Sequence, residues 1–275
     1  MSETIVKRIN FTENFDGLLS IWHACFPEDA DVGERLLKKL APQAEIFGLF
    51  TEDTLVSCAY CFKTTFSNAD AQFLAYYVYG VGTLPVYRGN GFAERVLQYA
   101  KQSLNCDLLF LYPAQPSLRA FYERLGYMSM LYRSEWKLDV YSNEMPVFSQ
   151  TAFSTTEYMG KRAVFLAGNG FSYATFSADV YETLLEHAYI LSFDHALALC
   201  VVEDKTVILP EVICEQSYID DILAAVQKRF SDKQVMAYLP GEEHLSGMVL
   251  PCSTLAKAHF NKQTKIPFFG TFFAE

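Results

Sequence analysis

The residues with the clearest chemical potential lie in a glycine-containing turn after a tyrosine-rich stretch. Residues 88–93 read Arg-Gly-Asn-Gly-Phe-Ala, between a predicted strand over 73–83 and a predicted helix that begins at Phe92. Glycines let backbone N–H groups point into one hollow, and the helix N-terminus adds partial positive charge. Arg88 adds a full charge beside it. The pattern favours a pyrophosphate site, although the two glycines alone are equally typical of a plain tight turn.

Two common nucleotide motifs do not describe this turn. No Gly-Lys-Ser or Gly-Lys-Thr follows it, so it is not a Walker motif. The turn is not a dinucleotide-binding fingerprint either, because Glu94 stands where the third glycine would be and the strand–turn–helix unit lies in the middle of the chain. A different class of phosphate-bearing ligand is therefore expected.

The elements that must position this turn are predicted from hydrophobic periodicity. The order over the first 138 residues is β-α-α-β-β-β-α-β-α-β, with an amphipathic helix after Phe92 and a buried strand over 108–112. The strand–helix–strand unit over 73–112 predicts a right-handed parallel crossover. A further helix is expected over 117–125, with Ser117 as its N-cap and Gly126 as its C-terminal glycine. This predicts an α/β or α+β sheet covered by helices.

The second half repeats part of this order after a polar stretch over 139–150, which we interpret as a linker. Its predicted strands and helices cover residues 163–167 (strand), 172–176 (strand), 180–188 (helix), 196–202 (strand), 206–212 (strand), 218–230 (helix) and 235–239 (strand). In both halves a strand, a helix and a strand ending near Tyr-Pro follow each other. Two such units also arise by chance, so duplication and coincidence both stay open.

Composition excludes several classes of protein. The chain has 275 residues, 22 Lys plus Arg, 32 Asp plus Glu and a formal charge of −10, which argues against nucleic-acid binding. The N-terminus does not resemble a signal peptide, and no run of about 18 uncharged apolar residues occurs. We therefore expect a soluble, cytoplasmic protein without a membrane span.

The seven cysteines, including Cys58 and Cys61 on one predicted strand, are expected to be buried free thiols, and no metal site is predicted.

Two motifs resemble the GNAT acetyltransferase superfamily. Residues 88–93 are similar to its R/Q-x-x-G-x-G/A signature, and residues 120–127, Ala-Phe-Tyr-Glu-Arg-Leu-Gly-Tyr, are similar to its FY-x-x-LGF helix. The resemblance covers about residues 1–140. It implies a GNAT fold with a mixed central sheet in a domain over 1–140, followed by a degenerate GNAT-like domain over 141–275. Enhanced-intracellular-survival-type acetyltransferases are similar in this respect, but they carry a third, sterol-carrier-like domain for which this chain is too short.

The resemblance also implies roles for single residues, with acetyl-CoA as co-substrate. Tyr122 matches the family tyrosine that protonates the departing thiolate, although a packing role on an amphipathic helix is the alternative. Ser117 lies where the family's next loop often touches the cofactor. The remaining implied contacts to coenzyme A are the end of the strand, the turn and the first helical turn: Val81, Gly82, Thr83, Arg88, Gly89, Asn90, Gly91, Phe92, Ala93 and Glu94.

The acceptor side of the site is less defined. Trp22, His23 and Phe26, with the acidic run Glu28, Asp29 and Asp31, lie where GNAT folds build the acceptor wall; core aromatics and a solvated acidic loop are the alternative. No general base is identified, and the residues considered are Glu45, Asp70, Tyr76, Tyr77 and Tyr79. In survival-type relatives the C-terminal carboxylate enters the active site, and the tail over 267–275 is compared with that arrangement, with an ordinary final strand as the alternative.

These observations predict an acetyl-CoA-dependent N-acetyltransferase that acts on a small amine, an aminoglycoside-like polyamine or a peptide amine. A non-catalytic acyl-CoA sensor or partner-binding module is the alternative, and aminoacyl or fatty-acyl transfer on a duplicated scaffold is a third hypothesis. In the second half, residues 211–217 replace the glycine turn with two carboxylates and no glycine or arginine, so one coenzyme A site per chain is predicted. Homo-oligomerisation is compatible with this prediction.

Overall fold

The computed structural model describes residues 3–26, 34, 37–68, 70–138, 149–150, 154–168, 172–186, 188–193, 196–241, 244–261 and 265–269. The chain divides into two compact units. One unit comprises residues 1–65, 73–129 and 247–263, and the other comprises 66–72, 130–246 and 264–275. These units are interleaved along the chain, and the predicted domain boundary at residue 140 stays a prediction.

Both halves of the sequence contain helices and strands. Up to residue 138 they are β1 (Thr4–Ile9), α1 (Phe15–Cys25), β2 (Ala44–Thr51), β3 (Thr54–Ser67), β4 (Gln72–Thr83), α2 (Phe92–Ser103), β5 (Leu108–Leu111), α3 (Arg119–Arg124) and β6 (Met128–Leu138). They continue as β7 (Ser149–Gln150), α4 (Thr155–Gly168), β8 (Ser172–Thr175), α5 (Ala178–Leu185), β9 (Ala188–Phe193), β10 (Ala196–Val202), β11 (Thr206–Cys214), α6 (Ile219–Arg229), β12 (Gln234–Pro240), β13 (His244–Pro251), α7 (Thr254–Phe260) and β14 (Ile266–Phe269).

The first unit contains the predicted parallel crossover. Its strands lie in the order β1-β2-β3-β4-β5-β13, and β4 and β5 are parallel with α2 between them in sequence, as predicted. The β2–β3 hairpin turns at Glu52 and Asp53, whose φ angles of 49° and 66° lie in the left-handed region that tight hairpins require. The apolar face of α2, with Val96, Leu97 and Ala100 buried, packs into the core beside Leu109 and Leu111 of β5. The helix that follows the predicted phosphate turn is therefore fixed to the sheet.

The second unit has the same strand–helix–parallel strand arrangement. Its strands follow the order β6-β12-β11-β10-β9-β7, with β11 and β12 parallel and α6 between them in sequence. The strand that follows each crossover lies in the other unit: β6 pairs with β12, and β13 pairs with β5. The predicted strand over 163–167 is wrong, because Tyr158, Arg162 and Leu166 are buried at helical spacing within α4. Strands β9 and β13 and helix α7 were not predicted.

The described residues contain no helix long and apolar enough to cross a membrane. All seven cysteines are free, but Cys25, Cys106 and Cys252 are only half-buried, so the prediction of buried thiols is correct for the other four alone. Within the described parts of the chain, no group of three or more His, Cys, Asp or Glu residues is arranged to hold a metal ion.

A buried ion pair lies in the core of the second unit. The Arg162 guanidinium donates to both carboxylate oxygens of Glu211, at 2.7–2.9 Å, and the Tyr158 hydroxyl donates to the same carboxylate. Burial alone would lower the pKa of Arg162, but the Glu211 carboxylate more than offsets this and the guanidinium stays charged. Glu211 therefore belongs to β11 and the core. It does not lie in the turn before α6, where the sequence comparison placed it.

Replacing Glu211 with Gln should destabilise the protein by about 3–5 kcal/mol, because it leaves a buried guanidinium without its counter-charge. Urea unfolding measures the change. Glu34→Gln is the matched control, since Glu34 pairs with Lys38 at the surface, where water and salt screen the pair and its loss should have a much smaller effect. Equal effects of the two substitutions would contradict the structural role of the buried pair.

Candidate functional site

A left-handed glycine lies in β4 shortly before the strand ends. Gly80 has a φ of +57°, and a Cβ at this position would lie 2.7 Å from the Tyr60 ring. Both the conformation and the lack of space therefore require glycine. Such a residue interrupts the regular geometry of a strand.

The ladder between β4 and β5 ends close to this glycine. Its last pair is Tyr77 with Phe110, β5 ends at Leu111, and β4 continues to Thr83. On its other side β4 stays attached to β3, because the Ser57 hydroxyl donates to the carbonyl of Gly82 at 2.9 Å. Among the described residues, 81–83 pair with no strand on the side of β4 that faces β5. The strand ladders thus leave this edge unoccupied, although the Thr83 carbonyl accepts from the side chains of Arg88 and Cys25.

The turn after β4 leads directly into α2. A short 3-10 turn over Pro85–Tyr87 precedes Gly89 and Gly91, whose φ angles are +82° and +71°. A Cβ at either glycine would meet nothing within 4 Å, so the left-handed backbone alone requires glycine there. The Asn90 side chain donates to the carbonyl of Tyr87 at 3.0 Å and stabilises the turn.

The N-terminus of α2 has no side-chain cap. Gly91 is the N-cap residue, and its carbonyl accepts the first helical bond, from the Arg95 N–H, at 3.1 Å. The N–H groups of Phe92, Ala93 and Glu94 therefore lack an intrahelical acceptor. The Glu94 carboxylate accepts from the Gln98 side chain at 3.0 Å, so it is directed along the helix. Free N–H groups at a helix N-terminus are a suitable site for phosphate.

Arg88 lies at the surface and contacts the end of β4. Its Nε donates to the carbonyl of Thr83 at 3.1 Å, and a second guanidinium nitrogen lies 3.7 Å from the Cys25 sulfur. These contacts hold a positive charge between the strand end and the glycine turn. The segment from Val81 to Glu94 thus combines an open strand edge, a cation and uncapped helical N–H groups in one continuous stretch.

Tyr122 lies in α3 and is 7% exposed. Burial raises the pKa of Tyr122 to about 12, so its hydroxyl holds its proton at neutral pH. Its ring contacts those of Phe121 and Tyr127. Ser117 is exposed and lies in the 3-10 turn before α3. The expectation that it caps this helix is wrong, because α3 begins after Leu118 without a side-chain cap.

The residues considered as general base have different surroundings. Glu45 forms an ion pair with Arg8 at 3.1 Å, and both side chains are partly exposed. Burial, and next the Glu45 carboxylate, raise the pKa of Tyr76, so this phenol is not a base at neutral pH. Tyr77 is 2% exposed and Asp70 is exposed. The structure therefore does not single out a base.

A recess in the first unit is walled by aromatic rings. It has a cavity volume of about 10 Å³, room for about one water molecule, and is lined by Trp22, Leu37, Leu40, Ala41, Tyr60, Phe62 and Tyr79. Of the predicted acceptor wall, Trp22 lines this recess, Phe26 packs against the Trp22 ring at 4.8 Å, and His23 is exposed. The acidic run over 28–31 and the tail over 270–275 lie outside the described residues. Tyr60 and Phe62 were not predicted, because a buried strand residue gives no sign that it faces a recess.

Comparison with known proteins agrees with this geometry. Residues 6–130 match the model of an acetyltransferase (GNAT) domain. A GCN5-related N-acetyltransferase from Anabaena variabilis has a similar structure, with a TM-score of 0.74 at 14% identity over 92% of this chain and 74% of that one. Eis1 from Mycobacterium abscessus has a TM-score of 0.65 at 9% identity over 90% and 74%. A tandem GNAT protein from the clavulanic acid biosynthesis pathway has a TM-score of 0.56 at 11% identity over 91% and 99%. A search of curated proteins finds no match.

Replacing Arg88 with Ala should weaken acetyl-CoA binding by about tenfold, because Arg88 is predicted to make a charge-assisted contact to phosphate. Isothermal titration calorimetry measures the change. Lys205→Ala is the control, since Lys205 is an exposed cation of the second unit. Unchanged affinity in the Arg88 variant would contradict the placement of the phosphate site.

Proposed function

We propose, from the premise that residues 6–130 are a GNAT-family acetyltransferase domain, that this protein transfers an acetyl group from acetyl-CoA to a primary amine. The family uses acetyl-CoA as its co-substrate, which supplies the acetyl group as an activated thioester. The fold is the mixed α/β GNAT fold, and its tandem relatives support a two-part architecture. The observation that carries the proposal is the continuous stretch from the open edge of β4 to the uncapped N-terminus of α2.

The residues of this stretch fit acetyl-CoA in shape and charge. The edge over Val81–Thr83 can hydrogen-bond an extended, amide-containing arm as a neighbouring strand would. The N–H groups of 92–94 and the Arg88 guanidinium suit a pyrophosphate. Gly89 and Gly91 leave the approach free of side chains. Ser117 is proposed as a further contact from the turn before α3.

Two groups of this chain are proposed to act on the reacting atoms. A backbone N–H of the strand end polarises the thioester carbonyl, which stabilises the negative charge that develops on its oxygen. Tyr122 donates a proton to the departing sulfur. Its raised pKa suits this role, because the hydroxyl stays protonated across the pH range in which amines become nucleophilic.

We propose direct attack by a primary amine on a small molecule, an aminoglycoside-like polyamine or a peptide. The second half of the chain serves as a scaffold, because the turn between β11 and α6 has no glycine and begins with the carboxylate of Glu215. One coenzyme A site per chain and a cytoplasmic location are part of this proposal, as are the domain limits 1–140 and 141–275.

An acyl-CoA sensor is the second candidate function, and the proton-donor position of Tyr122 argues against it.

Replacing Tyr122 with Phe should lower kcat by about 10²-fold or more, because the leaving thiolate loses its proton donor. Thiol release from acetyl-CoA in the presence of an amine measures the rate. Tyr127→Phe is the matched control: Tyr127 is an equally buried neighbour, and its hydroxyl has no hydrogen-bond partner among the described residues. Equal rates in wild type and the Tyr122 variant would favour another donor. Acetyl-CoA binding without thiol release from any amine would favour the sensor.

A further inference from the structure

Two half-buried thiols meet at the end of the ladder between β5 and β13. The last pair of this ladder joins Leu108 of β5 to Pro251 of β13. The next residues stay in contact, because the Cys252 N–H donates to the Asp107 carbonyl at 2.7 Å. Cys106 precedes Asp107, so its backbone is offset from that of Cys252 by one position. Residues offset in this way on facing strands have Cα atoms about 6 Å apart, within the range that a disulfide spans.

The two side chains converge as well as the backbone. The Cys106 thiol donates to the Cys252 sulfur, and the Cys252 thiol donates to the Leu250 carbonyl at 3.4 Å. Both sulfurs pack against the core cluster of the first unit that contains Tyr122 and Tyr127. Because neither cysteine is fully buried, a small molecule can reach the pair. The thiols are therefore close enough to be joined and open enough to react.

The groups around the pair favour ionisation of Cys252 over that of Cys106. The hydrogen bond from Cys106 lowers the pKa of Cys252; burial opposes this, and the Lys101 and Lys257 ammonium groups lower the pKa further. The same hydrogen bond, and next burial, raise the pKa of Cys106, and the Asp107 carboxylate adds to the increase. The thiolate is the nucleophile in thiol–disulfide exchange, so Cys252 is the group expected to attack first.

We propose that Cys106 and Cys252 form a reversible redox site that reacts with a low-molecular-weight disulfide. The Cys252 thiolate attacks one sulfur of this reagent, and the other sulfur leaves as a thiolate that takes up a proton. Cys106 then loses its proton and attacks the Cys252 sulfur of the mixed disulfide, which releases the second half of the reagent as a thiol. The protein loses two electrons and two protons, and the reagent takes up both and becomes two thiols.

The resulting disulfide joins segments that are far apart in the sequence. It fastens β13 to β5 within the first unit, and a crosslink that closes a long loop restricts the unfolded chain. In a reducing compartment such a disulfide forms transiently, when conditions become oxidising. The site goes beyond the proposed acetyl transfer and does not depend on it.

Titration of the full-length protein with mixtures of oxidised and reduced glutathione tests the site. Trypsin places Cys106 in a peptide over 102–119 and Cys252 in a peptide over 234–257, each with a single cysteine. The proposal expects these two peptides to be recovered as one disulfide-linked pair by mass spectrometry, and excess reduced glutathione to separate them. Cys25→Ser, which removes the third half-buried thiol, is the matched control and should form the same crosslink. Recovery of the two peptides only as free thiols or as separate glutathione adducts would overturn the proposal.

Single substitutions assign the two roles. Cys106→Ser should leave Cys252 as a stable glutathione adduct, because no second thiol resolves it. Cys252→Ser should leave Cys106 to react at least about tenfold more slowly, because its thiolate is the less favoured of the two. Equal rates of adduct formation in the two variants would contradict the assignment of Cys252 as the attacking group.

Thermal unfolding measures the effect of the crosslink on the first unit. The oxidised wild type should melt about 4 °C or more above the reduced protein. The Cys106→Ser variant, oxidised in the same way, should show no such increase, since it can form only the adduct. Equal melting temperatures of crosslinked and reduced wild type would contradict the stabilising role.

Discussion

The site depends on one backbone constraint, the end of the pairing between β4 and β5. Parallel pairing joins the two strands as far as Tyr77 and Phe110, and β4 then continues through the left-handed Gly80 while β5 ends at Leu111. Continued pairing would satisfy the backbone groups of Val81–Thr83 and leave nothing for a ligand to bind. The opposite edge of β4 is still held by β3, and we propose that an extended ligand pairs with the edge over Val81–Thr83.

The same arrangement of strands serves a different purpose in the second unit. There β11 and β12 flank α6 as β4 and β5 flank α2, but β11 carries Glu211, which forms a buried ion pair with Arg162. The turn before α6 carries the Glu215 carboxylate and no glycine, so it lacks both the positive charge and the backbone freedom that favour phosphate. The two units thus share a strand order, and the turns before their crossover helices differ in charge and in glycine content.

The sequence predicted the parts of the fold that depend on local patterns. The glycine turn, α2, the parallel crossover and the C-terminal glycine at 126 follow from residue types at fixed spacing. The strand predicted over 163–167 was wrong, since these residues belong to helix α4. The charged Arg162 of this helix is buried in the core because it pairs with Glu211, 49 positions away in the sequence. The aromatic recess also depends on contacts between distant segments, since Trp22 lies on α1 and Tyr60 on β3. No local pattern reveals such contacts, and the exchange of β6 and β13 between units is invisible for the same reason.

The most direct test of the central claim is hydrogen–deuterium exchange with and without saturating acetyl-CoA. Binding along the open edge and the helix N-terminus should slow amide exchange about tenfold or more over residues 81–94, where N–H groups gain acceptors. Residues 211–219, the corresponding stretch of the second unit, should exchange at the same rate in both conditions. Protection of 211–219 without protection of 81–94 would contradict the account.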